Sequence, residues 1–121
     1  MSVLIAYANT AAGAAALRHG RRLAADDGEP AVVFDLEAVA DSADRVIAPT
    51  IAAEEGERWF GRINDDPSPA DDLLEVAAQL EVDLIVLGVR APSPSGKLVL
   101  GANVQRIILD ARVPVLSVKP D

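Results

Sequence analysis

A chain of 121 residues, half of them hydrophobic, suits one domain around one core, and residues 1–121 are read as that single domain. The lack of cysteine excludes disulfides, thiolate metal sites and a cysteine nucleophile, and no apolar run reaches the length of a membrane span. A net charge of −8, from 19 acidic against 11 basic residues, argues against nucleic acid and anionic lipid as partners.

Val3 to Tyr7 is a short aliphatic run with the look of a buried strand. No basic residue precedes "VLIAYANTAAGAAAL", so it reads as a strand turning into a helix rather than as a signal segment. Thr10 is the expected N-cap of a helix over Ala11 to Asp27. There Ala16, Leu17, Gly20, Leu23 and Ala24 recur at helical spacing, and Gly28 supplies the stop. Pro30 leads into a second apolar strand, "AVVFDL", from Ala31 to Leu36.

From Glu37 onward Pro49, Gly56 and Gly61 interrupt any long helix. The expectation there is a short helical piece near Ile51 to Glu57 and a strand near Trp59 to Ile63. Trp59 and Phe60 are adjacent, so a strand points them to opposite faces. Core is the default for either, with one of them able to be exposed or at a partner surface.

Pro69 suits the first turn of the next helix, and Asp71 and Asp72 follow where the helix dipole favours negative charge. Leu73, Leu74, Ala77 and Leu80 form its apolar face. "DLIVLG" is then a strand apolar enough to be buried on both faces. A helix over Val104 to Ala111 and a last strand, "VPVLSV", close the order.

Strands alternating with helices, without polar alternation in the strands, predict an α/β fold: a mainly parallel, Rossmann-like sheet with helices on both faces. In such sheets ligands bind beyond the carboxyl ends of strands where the winding reverses. Two loops fit by composition, "ANT" after the first strand and "GVRAPSPSGKLVLGAN", Gly88 to Asn103. The second carries Gly88, Arg90, Ser93, Ser95, Gly96, Lys97, Gly101 and Asn103, groups suited to an anion or a nucleotide. The plainer alternative makes "APSPS" a rigid surface connection, leaves Lys97 in solvent and uses Gly101 for close packing at a helix start. "SGK" is not a P-loop end, because Leu98 stands where a magnesium-holding Ser or Thr is needed.

Other chemistry is sparse. His19 is the lone histidine and is placed on a solvated helix face among arginines. The pairs Asp26–Asp27, Asp65–Asp66 and Asp71–Asp72 border turns or helix ends and read as surface charge and capping, so no metal site is expected.

Over nearly its whole length the chain resembles the universal stress protein family. "VLIAY" with the turn and helix after it is similar to the family's opening, and "PADDLLEVAAQLEVDLIVLG" to its segment between third and fourth strands. "LGANVQRIILDARVPVLSVKP" resembles its closing helix and Pro-Val strand. The resemblance implies a five-stranded sandwich, akin to adenine nucleotide alpha hydrolases, that dimerises through the last strand. Val113, Val115, Leu116 and Val118 are then the interface residues. It also implies a non-catalytic role in stress response or regulation, in the cytoplasm.

Nucleotide-binding members carry G-x2-G-x9-G-[ST] across the fourth loop. Gly88 and Gly101 match its first and third glycines, while Ala91 and Ala102 replace the second glycine and the hydroxyl residue. Ala8 stands where those members place an aspartate that contacts the nucleoside. The resemblance therefore implies nucleotide binding lost or weak and no cofactor. The alternatives are an ATP- or AMP-binding protein working through backbone contacts, or a regulatory subunit docking on a transporter or a paralogue. The scarcity of lysine, only Lys97 and Lys119, beside abundant aspartate suggests a halophile's salt-adapted protein; an ordinary acidic cytosolic protein is the simpler reading.

Overall fold

A computed structural model describes residues 1–63, 68–90 and 100–120. Strand β1 is Val3–Tyr7, buried at every residue, as its unbroken aliphatic sequence requires. Helix α1, Ala11–Asp26, follows directly. The Thr10 hydroxyl accepts a 3.0 Å hydrogen bond from the Gly13 amide, and Gly28 ends the helix at φ +73°, a conformation open to glycine.

Strand β2, Val32–Ala40, runs past the expected end at Leu36, with a register shift between Phe34 and Val39. Strand β3 is Arg58–Ile63, helix α2 Pro69–Gln79, strand β4 Leu84–Gly88, helix α3 Ala102–Asp110 and strand β5 Val115–Val118. The five strands pair in parallel in the order β3-β2-β1-β4-β5. The chain winds from β1 outward to β3, then crosses back over the sheet to β4 and β5. The reversal falls between β1 and β4.

Two cores result. Leu4, Phe34, Leu73, Val76, Ile85 and Ile107 belong to one, between the sheet and α2 and α3. Val3, Ile5, Ala16, Leu17, Val33 and Val86 belong to the other, beneath α1. Burying each such aliphatic side chain contributes about 1.5–3 kcal/mol. Trp59 and Phe60 divide between the two cores, and both are buried, which removes the option of an exposed partner surface at either.

Two expectations are corrected. Residues 51–57 hold no helix. Arg21 of α1 reaches this stretch instead: Nε donates to Glu57 Oε2 at 2.7 Å and Nη2 donates to the Ala52 carbonyl at 2.9 Å. Those contacts, with Gly56 at φ +82°, hold the segment open. Burial acts most strongly on the Glu57 carboxyl and opposes its ionisation. The Arg21 hydrogen bond, the Glu54 amide, the Arg21 charge and the Trp59 indole together hold its pKa below the ordinary glutamate range.

The second correction concerns Asp72, which is 1% exposed rather than a surface charge. It accepts from the Ile63 amide at 2.7 Å and from Arg45 Nη2 at 3.1 Å. Arg45 sits at φ +63° and also reaches Glu75 at 2.7 Å, so it pins the β2–β3 connection to α2. Removing one member of such a buried pair costs about 3–5 kcal/mol. Asp65 and Asp66 lie outside the described residues.

Candidate nucleotide site at the sheet's switch point

A pocket of about 400 Å³ opens at the carboxyl ends of β1 and β4, where the winding reverses. Ala6 comes from β1, Leu87 from β4, Leu36 from β2, Ala8 and Thr10 to Gly13 from the turn into α1, and Leu100 to Val104 from the start of α3. The lining is mostly aliphatic. Arg90, exposed at the rim, is the one charged side chain among the described lining residues.

Of the residues expected at a nucleotide site, Gly88, Arg90, Gly101 and Asn103 line this pocket together. Ser93, Ser95, Gly96 and Lys97, with Ala91, lie outside the described residues. Ala8 and Ala102, the two substituted signature positions that are described, also face it. Neither side chain offers a hydrogen-bonding group to a ribose or a phosphate. The Thr10 hydroxyl is there too, already accepting the Gly13 amide.

The two glycines differ in what they do. A Cβ on Gly88 would overlap the Ala12 carbonyl, so glycine there is demanded by the approach of α1 to β4. That reason has nothing to do with a ligand. Gly101 is the N-cap of α3 at φ −66°, and a Cβ there would meet nothing within 4 Å among the described residues. Close packing, the plainer expectation for Gly101, is therefore not its reason. Gly101 gives no side-chain cap, so the first amides of α3 lie bare beside the pocket. Bare amides at a helix start favour negative charge.

Sequence reasoning missed the aliphatic wall of Ala6, Leu36, Leu87 and Val104. Its only signal was that "DLIVLG" stays apolar to its carboxyl end and "AVVFDL" does so on the face of Phe34 and Leu36. His19 is half-buried within α1 and is not among the lining residues. Among the described residues no group of three or more His, Cys, Asp or Glu could hold a metal, and no helix is long and apolar enough to cross a membrane.

Comparison with known proteins agrees with this architecture. The family model described as the universal stress protein family matches residues 1–119. A universal stress protein of Mycolicibacterium smegmatis is 42% identical over 50 residues, which are 41% of this chain and 38% of that relative. Universal stress protein MJ0531 of Methanocaldococcus jannaschii is 37% identical over 66 residues, 52% of this chain and 39% of its own length. The matched stretches thus span well under half of these relatives.

Among solved structures, a universal stress protein from Archaeoglobus fulgidus superposes with a TM-score of 0.71 at 23% identity, covering 97% of both chains. A structure of the Archaeoglobus fulgidus protein in complex with dAMP gives 0.64 at 18% identity, covering 97% of this chain and 96% of that one. A universal stress protein in complex with cAMP gives 0.58 at 14%, covering 99% and 98%. On the match over residues 1–119, this chain belongs to the universal stress protein family.

Proposed function

We propose that this protein is a non-catalytic universal stress protein of the cytoplasm, acting in stress response or regulation as a homodimer, with adenine-nucleotide binding lost or weak. The observation that carries the reading is the pocket lining: Ala8 and Ala102 face the space, and only Arg90 among the described lining residues is charged. No histidine or carboxylate stands among those lining residues to act as an acid or a base, which supports a binding role over a catalytic one. A homodimer through β5 is supported by that strand's position at the sheet edge.

A second reading keeps the nucleotide. It is favoured by the bare amides of α3 behind Gly101 and by relatives solved with dAMP and cAMP. In that case the backbone does the binding.

Calorimetry with ATP separates the two. The wild type should show no binding at submillimolar ATP, whereas the triple variant Ala8→Asp, Ala91→Gly, Ala102→Ser should bind in the micromolar range. A hydrogen bond to a charged group contributes about 1.5–3 kcal/mol, so two regained bonds, partly offset by ordering, amount to roughly a hundredfold. Tight ATP binding by the wild type, or nucleotide released from freshly purified protein and seen by mass spectrometry, would overturn the first reading in favour of the second.

A further inference from the structure

A second cleft, of about 340 Å³, shares no lining residue with the nucleotide pocket. Tyr7 and Asp35 are register partners on the adjacent parallel strands β1 and β2. Tyr7 belongs to the core beneath α1, Asp35 follows Val33 of that core at strand spacing, and Glu37, past the register shift, lines the same cleft. All three meet at this cleft beyond the carboxyl end of β1, and Asn9, Ala38, Thr50 and Ile51 complete it. The β2–β3 connection leaves it open, because residues 51–57 form no helix.

The chemistry in this cleft is one-sided. Asp35 is 4% exposed, accepts from the Glu37 amide at 2.9 Å and from the Thr50 hydroxyl at 2.6 Å, and forms no ion pair among the described residues. Glu37 accepts from the Asn9 amide at 2.6 Å and likewise has no basic partner there. Both carboxylates keep free acceptor positions. Tyr7 is 5% exposed, and its hydroxyl has no hydrogen-bond partner among the described residues.

Burial raises the Tyr7 pKa, and the charges of Asp35 and then Glu37 raise it further, in keeping with the three side chains lining one cleft. Arg21 also acts on that phenol, weakly and in the opposite sense, but its guanidinium is already engaged by Glu57 and the Ala52 carbonyl. A buried carboxylate without a cation is costly, and a bound cation offsets that cost. A metal ion is a poorer candidate, since no group of three or more His, Cys, Asp or Glu that could hold one occurs among the described residues. An ammonium ion has three donors and needs no fixed coordination geometry.

We propose that this cleft binds a primary alkylammonium group, with Asp35, Glu37 and the Tyr7 hydroxyl as its three acceptors. The site is independent of the nucleotide pocket and of whether that pocket is filled.

Trp59, the single tryptophan, meets Tyr7 edge-on with ring centroids 5.8 Å apart and serves as the reporter. The protein is titrated at low, constant ionic strength with n-butylammonium, with N-acetyl-lysine methylamide and with tetramethylammonium, which has no N–H donor. The expected result is a saturable fluorescence change with butylammonium and none with tetramethylammonium. Saturation by the lysine amide alone would place the ammonium on a protein side chain rather than a free amine, and also supports the site. Tyr7→Phe and Asp35→Asn should each weaken binding about tenfold, the loss expected for one charge-assisted bond. Asp35→Asn keeps the local hydrogen-bonding shape and Tyr7→Phe keeps the ring against Trp59. Glu55→Gln, which removes one exposed charge outside the cleft, should leave binding unchanged. The proposal is overturned if neither primary amine saturates, if tetramethylammonium matches them, if Glu55→Gln weakens binding as much as Asp35→Asn, or if Tyr7→Phe binds like the wild type.

Discussion

Gly88 and Gly101 occupy the same motif and have opposite physical reasons. Alanine at Gly88 would set its Cβ against the Ala12 carbonyl, a backbone atom that cannot rotate aside. Gly88→Ala should therefore lower stability by about 1–3 kcal/mol or more, the usual cost of overpacking. Gly101→Ser meets open space among the described residues and supplies the missing cap hydroxyl to α3, so it should gain roughly a few tenths of a kcal/mol. Urea denaturation of both variants measures the contrast, and equal midpoints would contradict it. In the sequence the two glycines carried equal weight as signature matches. The spacing revealed where the chain turns at the pocket, but it could not reveal that Ala12 crosses over Gly88 and that no described residue crosses Gly101. Asp72 was misplaced for a related reason: its neighbours suggested a solvated helix start, while its partner Arg45 lies 27 residues away.

At the level of elements, helix α1 was legible because its signals are local. Thr10 caps the amide three residues on, and Gly28 takes the left-handed turn that ends the helix. The β2–β3 connection was not legible because its shape is imposed from α1 through Arg21 and from α2 through Asp72. That connection has a consequence for the sheet edges. Val46 bridges Phe60, the Ile47 amide donates to the Trp59 carbonyl at 3.0 Å, and the Gly61 amide donates to the Arg45 carbonyl at 2.9 Å, so the β3 edge is covered by its own chain. The β5 edge has no such cover among the described residues. Of the residues expected at the interface, Val118 is buried in the core, Val113 and Val115 are partly buried, and Leu116 is 40% exposed. Ile108 and Leu109 of α3 add exposed apolar surface of their own. An open edge with exposed leucine is an association hazard unless another chain pairs with it. Light scattering at micromolar concentration should find a dimer, and Leu116→Lys should convert it to a folded monomer. A monomeric wild type would refute the edge pairing.

For the molecule as a whole, the dominant quantity is the charge of −8 spread over 121 residues. Part of the basic complement is already committed. Arg21 is held by Glu57, Arg45 by Asp72 and Glu75, and Arg106 by Asp71 and Asp110. The remaining acidic excess repels itself across the surface, and that repulsion falls as salt shortens the screening length from about 10 Å at 0.1 M to about 3 Å at 1 M. Salt also weakens exposed pairs such as Met1–Asp27 and Arg106–Asp110, but such solvent-exposed pairs contribute little to stability. The Arg45–Asp72 pair, with side chains 7% and 2% exposed, is shielded from added ions and should hold. Relief of repulsion should therefore win, and the melting temperature should climb by on the order of 5 °C between dilute buffer and molar KCl. Sucrose at matched osmolality separates screening from general solvent exclusion, and should reproduce little of the rise. Reversing two exposed charges, Asp41→Lys with Glu55→Lys, should raise the melting temperature in dilute buffer and flatten its dependence on KCl. A rise with that signature supports adaptation to concentrated salt. A flat profile in the wild type would make the acidity incidental to stability, and the excess aspartate would then need another explanation, of which solubility is the nearest.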